Sequence, residues 1–234
     1  MVDDRSEVVA PGEQTGEKSG LTRLEIRAHK LAEVQEITRH PTKITSFSNF
    51  LDELESTLKR AYSYFRTATE DELSLSYAAE WMLDNYYLVQ QTIRLIREEL
   101  PETYYRQLPK LASGSLKDYP RIYDLASVLV ATDSAQIEID RIRKFILTYQ
   151  KSNDLTMGEI WAMPIMLRIG ILSSMAYALV RITGIKSNIQ ENMLPRLDWG
   201  TGISNDDIVA NGFNSLRKLS VQDWKDFFEN VSRV

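Results

Sequence analysis

Apolar side chains recur along this chain at intervals of three and four, the period that places them on one face of an α-helix. Between Ser46 and about Arg66 the positions are Phe47, Phe50, Leu51, Leu54, Leu58, Ala61, Tyr62 and Phe65. A second run, Leu75, Ala79, Met82, Tyr86, Val89, Ile93, Ile96 and Leu100, steps four and three in alternation until Pro101 intervenes. A seam of that kind needs a partner helix. Thr69 and Glu72 precede it with capping-box spacing, which predicts a helix start there. Another helix is expected from about Tyr119 to Ala131. Asp133-Ser134 reads as the start of the next, with Ile137, Ile139, Ile142, Phe145, Ile146 and Tyr149 apolar and an end near Ser152-Asn153.

Thr156 and Glu159 form the clearest start signal, a capping box flanked by Leu155 and Ile160 at the positions of a hydrophobic staple. The helix they open should run to Thr183-Gly184, with Pro164 removing one backbone hydrogen bond and kinking it. Ser204 is the N-cap expected for a helix through Val209, Phe213 and Leu216, and a last helix should start at Ser220 with Asp223 at its third position. No segment alternates with the period of two that marks a strand. The expected fold is therefore all-α, an irregular multi-helix bundle with a central kinked apolar helix and no sheet. In domain terms, 1–20 reads as a disordered, cytoplasmic polar tail and 21–45 as a basic amphipathic leader. The helical domain spans 46–234, its C-terminal end truncated while still amphipathic.

Composition narrows function more than fold. At 234 residues, 43% hydrophobic and 26% charged, the chain can build one sizeable core. The net charge of −5 gives no footprint for a polyanion, so nucleic acid is not an expected partner. There is no cysteine, which excludes disulfides, zinc–thiolate sites and a thiol nucleophile. His29 and His40 are the only histidines, and no local spacing assembles them into a triad or metal site. Phosphate-cradling loops of the GxxxxGK[ST] or GxGxxG type and the GxSxG elbow are absent from the sequence.

Residues Ile160–Val180 are long and apolar enough to span a bilayer, interrupted only by Arg168. A central Arg costs about 2.5–3.5 kcal/mol on insertion scales, and Pro164, Ser173, Ser174 and Tyr177 dilute the apolarity, so a buried core helix is the better expectation. Buried there, the guanidinium needs a carboxylate or several carbonyls; Glu159, Glu80 or Asp84 is the expected ion-pair partner. Glu80 and Asp84, four apart beside Trp81 and Asn85, put two carboxylates on one helix face, as an acid–base pair requires, although such pairs are ordinarily just solvated. Tyr86, Tyr87, Tyr104, Tyr105, Tyr119 and Tyr123 offer either a sugar-stacking surface or packing.

Four stretches carry a family resemblance: residues 78–87 (AAEWMLDNYY), 100–111 (LPETYYRQLPKL), 119–123 (YPRIY) and 155–165 (LTMGEIWAMPI). In this order and spacing, with an ending from Ser215 to Glu229 of the same character, they resemble the N-terminal region of bacterial cyclic β-1,2-glucan synthases over about Leu73–Val231. Members of that family are very large inner-membrane proteins that build and cyclise a glucan from UDP-glucose. Their transferase and phosphorylase-like domains lie C-terminal to this region. The resemblance implies a helical scaffold on the cytoplasmic face of the inner membrane, partnered by the downstream transferase and membrane domains of the same protein and by glucan, and not itself catalytic. It implies no cofactor in this segment; UDP-glucose and a divalent metal belong to the C-terminal domains. The alternative is a glucan-binding or transferase-contributing element with a tyrosine- and carboxylate-lined cleft. Glu80, Trp81, Asp84, Asn85, Tyr104, Tyr105, Pro109, Arg121, Glu159, Trp161 and Arg168 occupy matching positions and are read as fold and interface determinants; no catalytic or metal residue is assigned.

Overall fold

The chain was described by a computed structural model, covering residues 22–42, 47–69, 76–189 and 202–232. The expectations for the N-terminal tail and for the Thr69–Glu72 start lie outside these residues. Among the described residues 72% are helical, in nine helices. In chain order these are α1 (Arg23–Val34), α2 (Phe47–Thr67), α3 (Tyr77–Glu99), α4 (Glu102–Gln107), α5 (Arg121–Thr132), α6 (Ile139–Tyr149), α7 (Met157–Thr183), α8 (Asn205–Val221) and α9 (Trp224–Val231). The fold is all-α. The one departure from the expectation of no sheet is a two-residue antiparallel ribbon, β1 (Ile37–Thr38) with β2 (Lys110–Leu111), pairing Ile37 with Leu111.

The 27-residue α7 is the axis, packed by α2, α3, α5, α8 and α9. It is apolar all round because it is covered all round, the pattern of a central helix; 89% of its most apolar window is buried inside the fold. The Thr156–Glu159 capping box is present at its start, and Gly184 ends it in the left-handed conformation (φ 69°), where a Cβ would be strained. The helix continues through Pro164. The basic leader supplies α1, whose Leu24, Ala28 and Ala32 join the same core by packing on α6.

Several helix starts differ from the sequence reading. Ser76 has extended backbone, and the cap of α3 comes from outside: Asp206, in the first turn of α8, accepts from the Ala78 N–H (2.7 Å) and the Ser76 hydroxyl (3.1 Å). Asp133-Ser134 is not a start. Asp133 ends α5, Ser134 and Ala135 turn with positive φ, and α6 begins at Ile139. Ser220 belongs to α8, and Asp223 is the N-cap of α9, accepting from Lys225 N–H at 2.9 Å.

Candidate functional site

Tyr77, Glu80 and Asp84 are exposed on the first turns of α3, with Trp81 half-buried beside them, where α8 runs alongside. The cap from Asp206 holds the two N-termini together, and Arg217 further along α8 reaches Asn85, so the helices run in the same direction. Two positive helix ends side by side repel, and the Asp206 carboxylate between them offsets this. Tyr77, Glu80, Trp81, Asp84, Asn85 and Arg217 line an open groove of about 290 Å³ along this seam. Four of the predicted residues, Glu80, Trp81, Asp84 and Asn85, are thus brought together.

The lining is held by packing. Trp81 stacks on Phe213 (centroids 6.1 Å, 15° between planes), meets Tyr77 edge-on (6.1 Å) and carries the Arg217 guanidinium over its ring at 5.5 Å. Asn85 donates to the Trp81 carbonyl (3.0 Å) and accepts from Arg217. Tyr77 and Arg217 are absent from the sequence-based site. Tyr77 was legible, since it sits one turn before Trp81 on the same face; Arg217 is brought in only by the α3–α8 packing.

The second constellation is buried. Arg121 opens α5 and Glu159 closes the cap of α7, and both side chains are fully buried. Their contact is a fork-to-fork pair, with Arg121 Nε donating to Glu159 Oε1 (2.8 Å) and Nη2 to Oε2 (2.7 Å). The remaining guanidinium donors go to Asn153 Oδ1 (2.6 Å) and the Asp154 carbonyl (2.9 Å). Asn153 in turn donates to the carbonyls of Ala32 and Gln35, and Tyr149 hydroxyl donates to Gln35. The network ties the end of α1 to α5, α6 and α7. The ion pair at its centre is fully buried structure.

Arg168 is buried, as expected, but it is not paired with Glu159, Glu80 or Asp84. Nine residues separate Glu159 from Arg168, and at about 100° per residue the two point to opposite faces of α7. Glu159 faces Arg121. Arg168 donates instead to the carbonyls of Pro164 (3.2 Å) and Leu219 (2.9 Å). Leu219 lies in the last turn of α8, where carbonyls lack helical partners and a cation is favoured. Burial lowers the Arg168 pKa, and Glu99 opposes this through space without an ion pair.

The tyrosines disperse. Tyr105 is buried against Phe47 (5.0 Å, 23°), Tyr123 is buried, Tyr86 stacks on Tyr62 (4.2 Å, 6°), and Tyr104 donates to the Gly158 carbonyl (2.7 Å). Only Tyr87 of the six is exposed. They line no shared cleft, because helical spacing turned most of them inward. Trp161 is 57% exposed beside Met157, one turn away on α7 and apart from the groove. Among the described residues no three side chains of metal-binding type converge.

What these features define is an all-helical bundle with a filled core and a mixed aromatic and acidic surface groove. No family model matches the chain. It is 32% identical over 131 residues to cyclic beta-(1,2)-glucan synthase NdvB of Rhizobium meliloti (strain 1021), a match spanning 56% of this chain and 5% of that protein. The chain therefore carries a region related to a small part of that synthase.

Proposed function

We propose that this chain is a non-catalytic helical accessory segment of cyclic β-1,2-glucan synthesis, working beside a UDP-glucose-dependent transferase at the cytoplasmic face of the inner membrane. The relationship to part of a glucan synthase supports the pathway. The observation that carries the accessory role is the arrangement of polar groups. The one fully buried ion pair among the described residues is consumed in joining helices, and the exposed carboxylates of the groove sit on an open surface that cannot exclude water from a reaction. UDP-glucose and its metal are then bound by the transferase, and this segment contributes docking surface.

Purified chain incubated with radiolabelled UDP-glucose and Mg²⁺ should yield no labelled glucan. Deleting its coding segment should lower cellular β-1,2-glucan, and supplying the chain again should restore it. Labelled glucan from the chain alone, or unchanged glucan after deletion, would reject the role.

A further inference from the structure

Two exposed helix faces share one layout with opposite charge. On α3, Tyr77, Glu80, Asp84 and Tyr87 are all exposed, and at about 100° per residue they fall within about 80° of the helix circumference. The stripe reads aromatic, acid, acid, aromatic over about 15 Å. Neither carboxylate has a hydrogen bond or ion pair among the described residues. Arg217, at the edge of the face, is held by the Trp81 ring and Asn85, and Arg94 lies two turns beyond Tyr87, so the face stays net negative. On α1, Arg23, Ile26, Lys30 and Val34 are exposed within a similar arc. From Ile26 to Val34 that stripe reads apolar, cation, apolar over about 12 Å. It is net positive, since Arg27 borders it as a further cation and the acid beside it, Glu33, lies 3.3 Å from His29.

A single exposed apolar side chain needs no explanation, but of the nine large ones exposed among the described residues four lie on these two stripes. Both stripes are exposed, so neither covers the other within one chain. The inner face of α1 packs on α6, and α3 packs on α2, α7 and α8. We propose that a second copy of this chain supplies the cover, the outer face of α1 in one copy docking on the outer face of α3 in another. Run antiparallel at equal rise, the stripes set Val34 on Tyr77, Lys30 between Glu80 and Asp84, and Ile26 with Arg23 on Tyr87, where the guanidinium also meets an aromatic face. Charge selects this contact over its rivals, because two α1 faces repel and so do two α3 faces. A helix pair of this length buries less than the ~1,000 Å² of a stable interface, so the association is weak, with a Kd on the order of 100 µM. It is independent of the accessory role.

Sedimentation velocity of the whole chain between about 10 µM and about 1 mM should show a mass that rises with concentration. Raising NaCl from about 0.05 M to about 0.5 M should weaken the association several-fold. Glu80→Lys with Asp84→Lys, and separately Arg23→Glu with Lys30→Glu, should each weaken it about tenfold or more. Mixed in equal amounts these two variants should associate again, because the reversed α3 of one meets the reversed α1 of the other. Tyr87→Ala, which changes no charge, should weaken association about tenfold, and Val221→Ala, exposed on α8 away from both stripes, should associate as wild type. A wild-type chain that stays monomeric at about 1 mM overturns the contact. Association that survives either reversal belongs to another surface and overturns it too, as does a mixture that stays monomeric while both variants keep wild-type helical circular dichroism. Should a reversal unfold the chain, Tyr87→Ala decides, and association equal to wild type rejects the contact.

Discussion

Glu159 accepts from four donors at once: the backbone N–H and hydroxyl of Thr156, at 2.9 and 3.0 Å, and two nitrogens of Arg121. One carboxylate therefore closes the cap of α7 and neutralises a guanidinium with no solvent exposure. Removing one member strands the other charge in the interior. Arg121→Met should cost about 3–5 kcal/mol, and Arg121→Met with Glu159→Met distinctly less than the two singles added together. Urea titration of the three variants measures this, and strict additivity would contradict the pairing. Lys110 supplies the opposite case, a buried ammonium with no ion pair among the described residues. Its Nζ donates to the Tyr105 carbonyl and lies 3.8 Å from the Tyr105 ring centroid. Burial lowers its pKa from 10.5 to about 8. Between about pH 8 and pH 10.5 the unfolded chain therefore binds more protons than the folded one, and Lys110 favours folding increasingly as pH rises. The stability of wild type relative to Lys110→Met should climb across that window; a flat difference would show that Lys110 titrates normally. Both groups were visible in the sequence, but not their partners. The nine-residue spacing already argued against an Arg168–Glu159 pair, whereas the Leu219 carbonyl comes from another helix.

Helix α2, with its strong apolar stripe, and α7, with its local capping box, were legible to within a residue or two. The start of α1 has the same signature, Thr22 and Glu25 forming a complete capping box. Its buried face is one Leu and two Ala, too little apolar contrast to form a stripe in the sequence. The start of α3 is fixed by Asp206, 128 residues downstream of Ala78, which no local pattern contains. Helix crossings are equally non-local. A Cβ at Gly212 of α8 would fall 2.5 Å from Met175 Cγ and 2.6 Å from its Sδ, whereas one at Gly158 meets nothing nearer than a Tyr104 carbon at 3.8 Å. Gly212→Ala should lose about 1–3 kcal/mol to overpacking, more than the gain of about 1 kcal/mol in helix propensity. Gly158→Ala should keep that gain. Thermal melts of the two variants separate the effects, and equal stability would mean that α8 does not sit so close to α7.

At the scale of the molecule, the all-α class and the burial of Ile160–Val180 followed from period and composition, because only a helix covered on every side has so little polar face. The neighbours of each helix did not follow: a stripe states that a face will be covered and leaves open by what. Glu80, Trp81, Asp84 and Asn85 could thus be placed on one helix but not recognised as a groove, since its other wall is α8. The same gap explains the tyrosines, whose spacing allowed a cleft until packing turned them inward.

The docking of α1 has a consequence for biosynthesis. Its buried face rests on α6, and its C-terminal carbonyls are bound by Asn153, more than a hundred residues later in the chain. At about 5–20 residues per second of translation, α1 leaves the ribosome on the order of ten seconds before its site exists. Only the capping box sustains it during that interval, with Leu24 bare and within reach of a chaperone. The earliest of the described helices is then among the last of them to be secured, and a nascent chain arrested before α6 would expose Leu24 to protease, while one arrested after Asn153 has emerged would protect it.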